Sequence, residues 1–175
     1  RVSIFEMHLL ITCSQCFRQR LGAQFNGVVP PEQVPEAPLP AELSTDGWYE
    51  VECPQGHRFV ALLHAQRHEL LFELGLIALI DGYTRESVAN FQAALERCYE
   101  FTIRFFLAVD GVAEKDFEDV WKPLSNSSER QLGAYMLLYL SKFKQPPPTL
   151  SEKQIAFRNS VIHKGEIPTK RATLV

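Results

Sequence analysis

The stretch TRESVANFQAALERCYEFTIRFFLAV, residues 84–109, carries the helical pattern around which the rest of the chain is arranged. Thr84 is predicted as the N-cap, and Asp110-Gly111 follows the end of the helix. At about 100° per residue, a predicted core face contains Val88, Phe91, Leu95, Cys98, Thr102, Phe105 and Val109. A second stripe contains Ala89, Ala93, Glu96, Glu100, Ile103 and Leu107. A helix that is apolar on two sides is either central in its domain or shared with a second subunit.

The second stripe carries both small residues and acids. Alanines let another helix approach closely, so the stripe predicts a homodimer through Ala89, Ala93, Glu96 and Ile103. Glu96 and Glu100 are costly there unless they face a cation or a wet cleft. The simpler alternative is a like-charged pair at a solvated edge.

Helical patterns continue outward from this stretch on both sides. Before it, residues 65–80 form one predicted helix, which Asp81-Gly82 ends. After it come a short helix around 117–121, a helix at 128–143 capped by Ser127 or Ser128, and a last helix from Thr149 or Ser151. The patterns therefore predict an antiparallel bundle of four to five helices over residues 65–175.

The last of these helices contains the run Arg158-Asn159-Ser160-Val161-Ile162-His163. Lys164-Gly165 provides the signal that ends the helix. The chain has a net charge of −3, but residues 151–175 carry five Lys or Arg against two Glu, a local charge of +3. A basic surface around this run is what a phosphate-bearing substrate requires.

Residues 1–64 are predicted as a small β unit. Strand patterns occur at 7–12, 21–29, 48–51 and 58–63. Residues 30–40 contain five prolines and are predicted as a solvated loop. A unit of roughly sixty residues with so long a loop buries little core and needs another source of stability.

Two short turns in this unit carry metal-ligand residues. They are Cys13-Ser14-Gln15-Cys16 and Cys53-Pro54-Gln55-Gly56-His57. Three sulfurs and one imidazole predict a closed, tetrahedral zinc site, which is structural because catalysis needs an open position for water. The alternative, three buried thiols and a stray His, does not explain why both pairs follow predicted strands. The unit resembles a zinc ribbon with a long separation between its two pairs of ligands.

The run Arg158-Asn159-x3-His163 resembles the R-x4-6-H motif of the HEPN superfamily of small helical domains. The segment 94–101, with Glu96, is similar to the acid-bearing helix of that superfamily. The resemblance implies a dimeric, metal-independent endoribonuclease whose two motifs line one cleft. It implies Arg158 and His163 as the catalytic pair, Asn159 as a positioning residue and Glu96 as a further site residue. Attack by the 2′-hydroxyl of RNA would leave a cyclic phosphate.

The residue types suit this chemistry, because His titrates near neutral pH and Arg presents a fixed planar donor to phosphate. Residues five apart on a helix, however, diverge by about 140°. Arg158 and His163 converge if the helix loosens near its end, if the Arg reaches round, or if two subunits share a cleft.

The predicted fold class is therefore α+β, with a zinc-ribbon-like unit at 1–64 and a HEPN-like helical domain at 65–175. The expected function is an endoribonuclease of the toxin or antiphage-defence kind, with RNA as substrate and an antitoxin or regulatory partner. The alternative is a non-catalytic binding or assembly module. A zinc hydrolase is disfavoured because four ligands close the metal site. No stretch is long enough for a membrane span, and the cysteine usage fits a reducing, cytoplasmic compartment.

Overall fold

The structure is a computed structural model that describes residues 8–26, 39–44 and 46–174. The chain divides into two units, Arg1–His64 and Ala65–Val175. The first contains short strands and one helix, and the second contains helices only, so the chain belongs to the α+β class.

The first unit contains two antiparallel two-stranded sheets. Strand β1 (His8–Ile11) pairs with β2 (Leu39–Glu42), and β3 (Trp48–Glu52) pairs with β4 (Arg58–Leu62). Ile11 lies opposite Leu39, and Glu52 lies opposite Arg58, which donates from Nε to the Glu52 carboxylate at 2.8 Å. In β3 and β4 exposed and partly buried residues alternate, as expected for a hairpin with one covered face.

Helix α1 (Ser14–Asn26) lies between β1 and β2, and it corrects one prediction. Residues 21–26 of the predicted strand 21–29 belong to this helix, and residues 27–29 lie outside the described part of the chain. The preceding residues, 14–20, contain two Gln and two Arg, which favour helix over strand. Strand β2 also includes Pro40 from the end of the predicted loop; a two-stranded sheet tolerates proline because each strand has an outer edge.

The second unit contains the predicted helices and a short additional one. They are α2 (Arg67–Asp81), α3 (Thr84–Val109), α4 (Glu114–Leu124), α5 (Ser128–Phe143), α6 (Glu152–Lys164) and α7 (Lys170–Thr173). Gly82 and Gly165 end α2 and α6 in the left-handed conformation, as the sequence predicts. The prediction of Thr84 as N-cap is wrong. Tyr83 holds that position, and the buried Thr84 hydroxyl donates to the Pro168 carbonyl at 2.7 Å.

Helix α3 is the centre of its unit, since it contacts α2, α4, α5, α6 and α7. The core cluster consists of Tyr99, Ile103, Phe117, Trp121 and Tyr135. The residues of α3 in or against this cluster are spaced by four, namely Leu95, Tyr99, Ile103 and Leu107.

This spacing corrects both predicted stripes of α3. Phe105 and Val109, assigned to the core face, are exposed. Ile103, assigned to a dimer interface, is only 5% exposed and packs inside its own chain. Several helices pack around α3, and the residues that they bury belong partly to the first predicted stripe and partly to the second.

Helices α2 and α3 approach each other closely at Gly75. The Ser87 hydroxyl donates to the Gly75 carbonyl at 2.8 Å, and a Cβ on Gly75 would lie 2.5 Å from Cε1 of Phe91. We expect Gly75→Ala to lower the free energy of unfolding by about 1–3 kcal/mol, because the Phe91 ring has to move. Urea denaturation followed by circular dichroism measures this change.

Gly133 is the matched control, since it also lies inside a helix but a Cβ there meets nothing within 4 Å. Gly133→Ala should raise the free energy of unfolding by up to about 1 kcal/mol through helix propensity. Equal effects of the two substitutions would contradict the close approach of α2 and α3.

Candidate functional site

Three cysteines and one histidine meet at the ends of the strands in the first unit. Cys13 follows β1, Cys16 lies in the first turn of α1, Cys53 follows β3, and His57 precedes β4. Their ligand atoms all lie within 4.8 Å of one another. The three cysteines are buried, with Leu39 and Phe59 packed against them. The structure therefore brings together the four residues predicted to bind metal.

Local backbone geometry holds the two halves of this cluster. The Phe17 amide donates to the Cys13 carbonyl at 2.9 Å, which closes the first turn of α1. The Gly56 amide donates to the Cys53 carbonyl at 2.8 Å, and the Cys53 amide donates to the His57 carbonyl at 3.0 Å. Gly56 has φ of 78°, a conformation that glycine adopts without steric cost. The turn therefore returns His57 to the side of Cys53.

The distances between ligand atoms fit a tetrahedral metal site. Metal bonds of about 2.3 Å to sulfur and about 2.0 Å to nitrogen place sulfurs about 3.8 Å apart and nitrogen about 3.5 Å from sulfur. Sγ of Cys16 and Sγ of Cys53 are 3.7 Å apart. His57 Nδ1 lies 3.4 Å from Sγ of Cys16, 3.5 Å from Sγ of Cys53 and 3.7 Å from Sγ of Cys13. The cluster is compatible with a bound metal ion.

The thiols of the cluster differ in pKa, and a backbone hydrogen bond from Cys16 lowers the pKa of Cys13. Burial, together with hydrogen bonds to the thiols of Cys13 and Cys53, raises the pKa of Cys16 to about 11. A thiol in such surroundings becomes a thiolate at neutral pH when a cation stabilises the charged form.

We expect the purified protein to contain one equivalent of bound metal per chain, measured by elemental analysis. Cys53→Ser should remove most of that metal, because it replaces one of four ligands in a closed site. Cys98→Ser is the matched control: Cys98 lies in α3, outside the cluster, and its replacement should leave the metal content unchanged. Equal metal content in the two variants would rule out the cluster as the binding site.

A cavity of about 190 Å³ lies in the second unit among α3, α5 and α6. Arg158 and Asn159 line it from α6, and Glu96 lines it from α3. Glu96 is fixed in position because its Oε1 accepts hydrogen bonds from Gln92 Nε2 at 2.7 Å and from Ser128 Oγ at 2.6 Å. Three of the four predicted catalytic residues therefore share one cavity.

The fourth predicted residue, His163, is exposed and is not among the residues that line the cavity. Helix α6 runs without interruption to Lys164, so it does not loosen near its end. That route for bringing Arg158 and His163 together is excluded. The two remaining routes are an Arg158 side chain that reaches round and a cleft shared by two chains.

Glu129 is a residue of this site that the sequence did not reveal. It lines the cavity from the first turn of α5. Its own backbone amide and the Ser127 hydroxyl lower its pKa most, and the charges of Arg158 and His163 act in the same direction. The available signal was its place two residues after Ser127, the N-cap of α5.

Arg158 combines burial with an unused donor. Its Nε is buried and has no hydrogen-bond partner among the described residues. A buried donor without a partner costs about 1–3 kcal/mol, and such exceptions often mark functional sites. Tyr99 also lines the cavity, and burial raises its pKa to about 12, so its hydroxyl remains protonated at neutral pH.

Glu100, the other acid of the second stripe, has a structural role. Arg97 donates to it, and Arg104 lies 3.6 Å away. Arg104 also contacts Glu118 at 2.6 Å and lies over the Phe117 ring, 4.4 Å from its centre. Arg97 and Arg104 therefore both pair with Glu100 within α3, and Arg104 also connects α3 to α4. Glu96, in contrast, faces the cavity.

No family model, curated protein or solved structure matches this chain. Among the described residues, no helix has the length and apolar character needed to cross a membrane. The function is therefore inferred from the geometry of the two sites and from the residue types within them.

Proposed function

We propose that this chain is a metal-independent endoribonuclease whose helical unit is HEPN-like. The observation that carries the proposal is the cavity, where Arg158, Asn159 and Glu96 lie together although 62 positions separate Glu96 from Arg158 in the sequence. Arg158 adds support, because its guanidinium lines the cavity and its Nε has no partner among the described residues.

The proposed reaction uses the RNA's own 2′-hydroxyl. His163 accepts the 2′-hydroxyl proton while the 2′-oxygen bonds to phosphorus. The bond to the 5′-oxygen breaks as that oxygen takes a proton from solvent water, and His163 then returns the proton it accepted to solvent. Arg158 donates to the phosphate oxygens, where charge develops. Asn159 and Glu96 position these groups. The products are a 2′,3′-cyclic phosphate and a free 5′-hydroxyl, so no metal-bound water is required.

A second copy of the chain is part of the proposal. A regular α6 separates Arg158 from His163 by about 140°, and a cleft shared by two chains brings one residue of each together. The surface best suited to this role is the exposed apolar face of α5, which consists of Met136, Leu137, Leu140 and Phe143. Met136 also lines the cavity. A partner seated on this face would lie beside the site.

We also propose that the metal is zinc and that its role is structural. Three sulfurs and one nitrogen in a closed tetrahedral arrangement are the usual ligands of structural zinc. The unit has a small buried cluster of three cysteines, so metal binding supplies much of the free energy of folding. A toxin or defence role and an antitoxin partner remain predictions.

One observation favours the alternative, a binding or assembly module. On the hairpin of the first unit, Trp48 lies opposite Leu62, and both are exposed, together with Val60. Exposed apolar groups gathered on one face are typical of interaction surfaces. If the protein cuts no RNA, the binding or assembly module becomes the preferred function.

The test of the proposed function is cleavage of mixed RNAs by the purified protein in EDTA. We expect Arg158→Ala and His163→Ala each to lower the rate by about 10²–10⁴, the usual effect of losing a positioned acid–base or charge-stabilising group. Brief chelation should leave activity intact, because no metal takes part in the reaction. DNA of the same sequence should remain uncut, since it lacks the 2′-hydroxyl.

Arg85→Ala and His64→Ala are the matched controls, because both residues are exposed and neither lines the cavity. These variants should cut RNA at the parent's rate. If the Arg158 and His163 variants retain the parent's rate, the assignment of the site is wrong. If the parent cuts no RNA, the alternative function is preferred.

We expect light scattering to report a dimer at micromolar concentration and Leu137→Arg to convert it to a monomer, because a buried, unpaired charge disrupts an apolar interface. Ile80→Arg on α2 is the control, since Ile80 and Leu137 are both 72% exposed. A monomeric parent would contradict the dimer. A monomer produced only by Ile80→Arg would place the interface on α2.

A further inference from the structure

The cavity among α3, α5 and α6 has the size and the walls of a site for one flat ring system. Its volume of about 190 Å³ corresponds to about six waters at roughly 30 Å³ each. Its walls are mainly apolar, with Leu95 from α3, Leu132 and Met136 from α5, and Ile155 from α6. A space of this size suits a single base between aliphatic side chains.

The charged side chains of the cavity offer both acceptors and donors. Glu96 and Glu129 approach from α3 and α5, and Arg158 is the only cationic side chain among the lining residues. Glu96 Oε2 makes no hydrogen bond to the described residues, so an acceptor remains available. The two carboxylates can accept N–H donors of a bound group, and the Arg158 guanidinium can donate to a phosphate oxygen.

A place for the phosphate backbone exists outside the cavity. Lys164, Lys170 and Arg171 are exposed at the end of α6 and in α7, where the chain has its local positive charge. His163 is exposed at the same end of α6. An RNA strand held along this end would leave one base free to turn toward the cavity.

We propose that the cavity is a specificity pocket for one unpaired RNA base and that its carboxylates select guanine. This inference rests on the proposed function and names the feature of the substrate that the site reads. Guanine presents two adjacent donors, N1–H and the N2 amino group, which match the two oxygens of one carboxylate. Adenine and cytosine place an acceptor beside their amino group, and uracil flanks its single N–H with two carbonyls. Each of these three bases sets an acceptor against a carboxylate oxygen.

Glu129 is the residue that tests the selection, because it lines the cavity and is not part of the proposed catalytic set. The probes are four short RNAs, UUXUU, in which X is each base and every ribose carries a 2′-O-methyl group. The modification blocks the attacking oxygen, so binding is measured without cleavage. Fluorescence anisotropy gives the dissociation constant of each RNA for the full chain.

We expect the RNA with guanine to bind about tenfold more tightly than the RNA with uracil, the discrimination typical of a two-bond base contact. Glu129→Gln should remove most of this preference and leave binding of the uracil RNA unchanged, since the amide places a donor against guanine's donors. Glu152→Gln is the matched control: Glu152 is also an exposed glutamate in the first turn of a helix but does not line the cavity. This variant should keep the parent's preference.

Equal binding of the four RNAs, a preference for another base, or no binding at all would overturn the inference. A guanine preference that Glu129→Gln leaves intact would do so as well. Circular dichroism confirms that the variants fold. The proposed function is judged separately, by cleavage of unmodified RNA. A parent that cuts RNA without base preference refutes the pocket alone, and a parent that binds guanine but cuts nothing refutes the reaction.

Discussion

The stacking of Tyr99 on Tyr135 is the contact on which the helical unit depends. Their ring centres are 4.6 Å apart, and the pair joins α3 to α5 inside the buried cluster. Aromatic pairs of this kind stabilise cores beyond the area they bury. Tyr99 also lines the cavity, so the residue that fixes the distance between α3 and α5 forms part of the site. The contact from Ser128 to Glu96 then sets the position of the α5 N-terminus against α3.

The cluster of Cys13, Cys16, Cys53 and His57 has the corresponding place in the first unit. Its strands have four or five residues each and pair only two at a time, and isolated sheets of that kind are marginal in water. The four ligands come from the ends of β1, α1, β3 and β4, so one ion would tie both sheets and the helix together. The buried cluster of this unit is small, which explains why three cysteines lie in it as candidate metal ligands.

The sequence predicted those features that depend on local patterns. The end of α3, the glycine ends of α2 and α6 and the meeting of Cys13 with Cys53 all follow from periodicity, caps and ligand spacing. Periodicity could not show which apolar residues of α3 are buried. Five neighbouring helices contact α3, and their packing decides which of these residues lie in the core. Periodicity also failed at residues 21–26, where short apolar alternation imitated a strand within a helix.

Local patterns also explain which residues of the cavity the sequence could reveal and which it could not. Asn159 follows Arg158 directly, so a motif could reveal both, and the acids of α3 stood out because they interrupt an apolar stripe. Glu129 gave no such signal, since a glutamate in the first turn of a helix is explained by the helix dipole alone. Its relation to Arg158 appears only when α5 and α6 are placed on the same side of α3.

Charge gives the two sides of this site different roles. The chain has a net charge of −3, whereas the end of α6 and α7 is locally basic, so an RNA substrate of the proposed kind would meet positive charge there. Backbone contacts at that end would be weakened by salt, as contacts to phosphate are. The cavity carries two carboxylates and one guanidinium, so it offers acceptors to a base as well as a donor to a phosphate. The basic surface and the carboxylates of the cavity would together orient a bound RNA strand, with its backbone on the basic surface and one base turned toward Glu96 and Glu129.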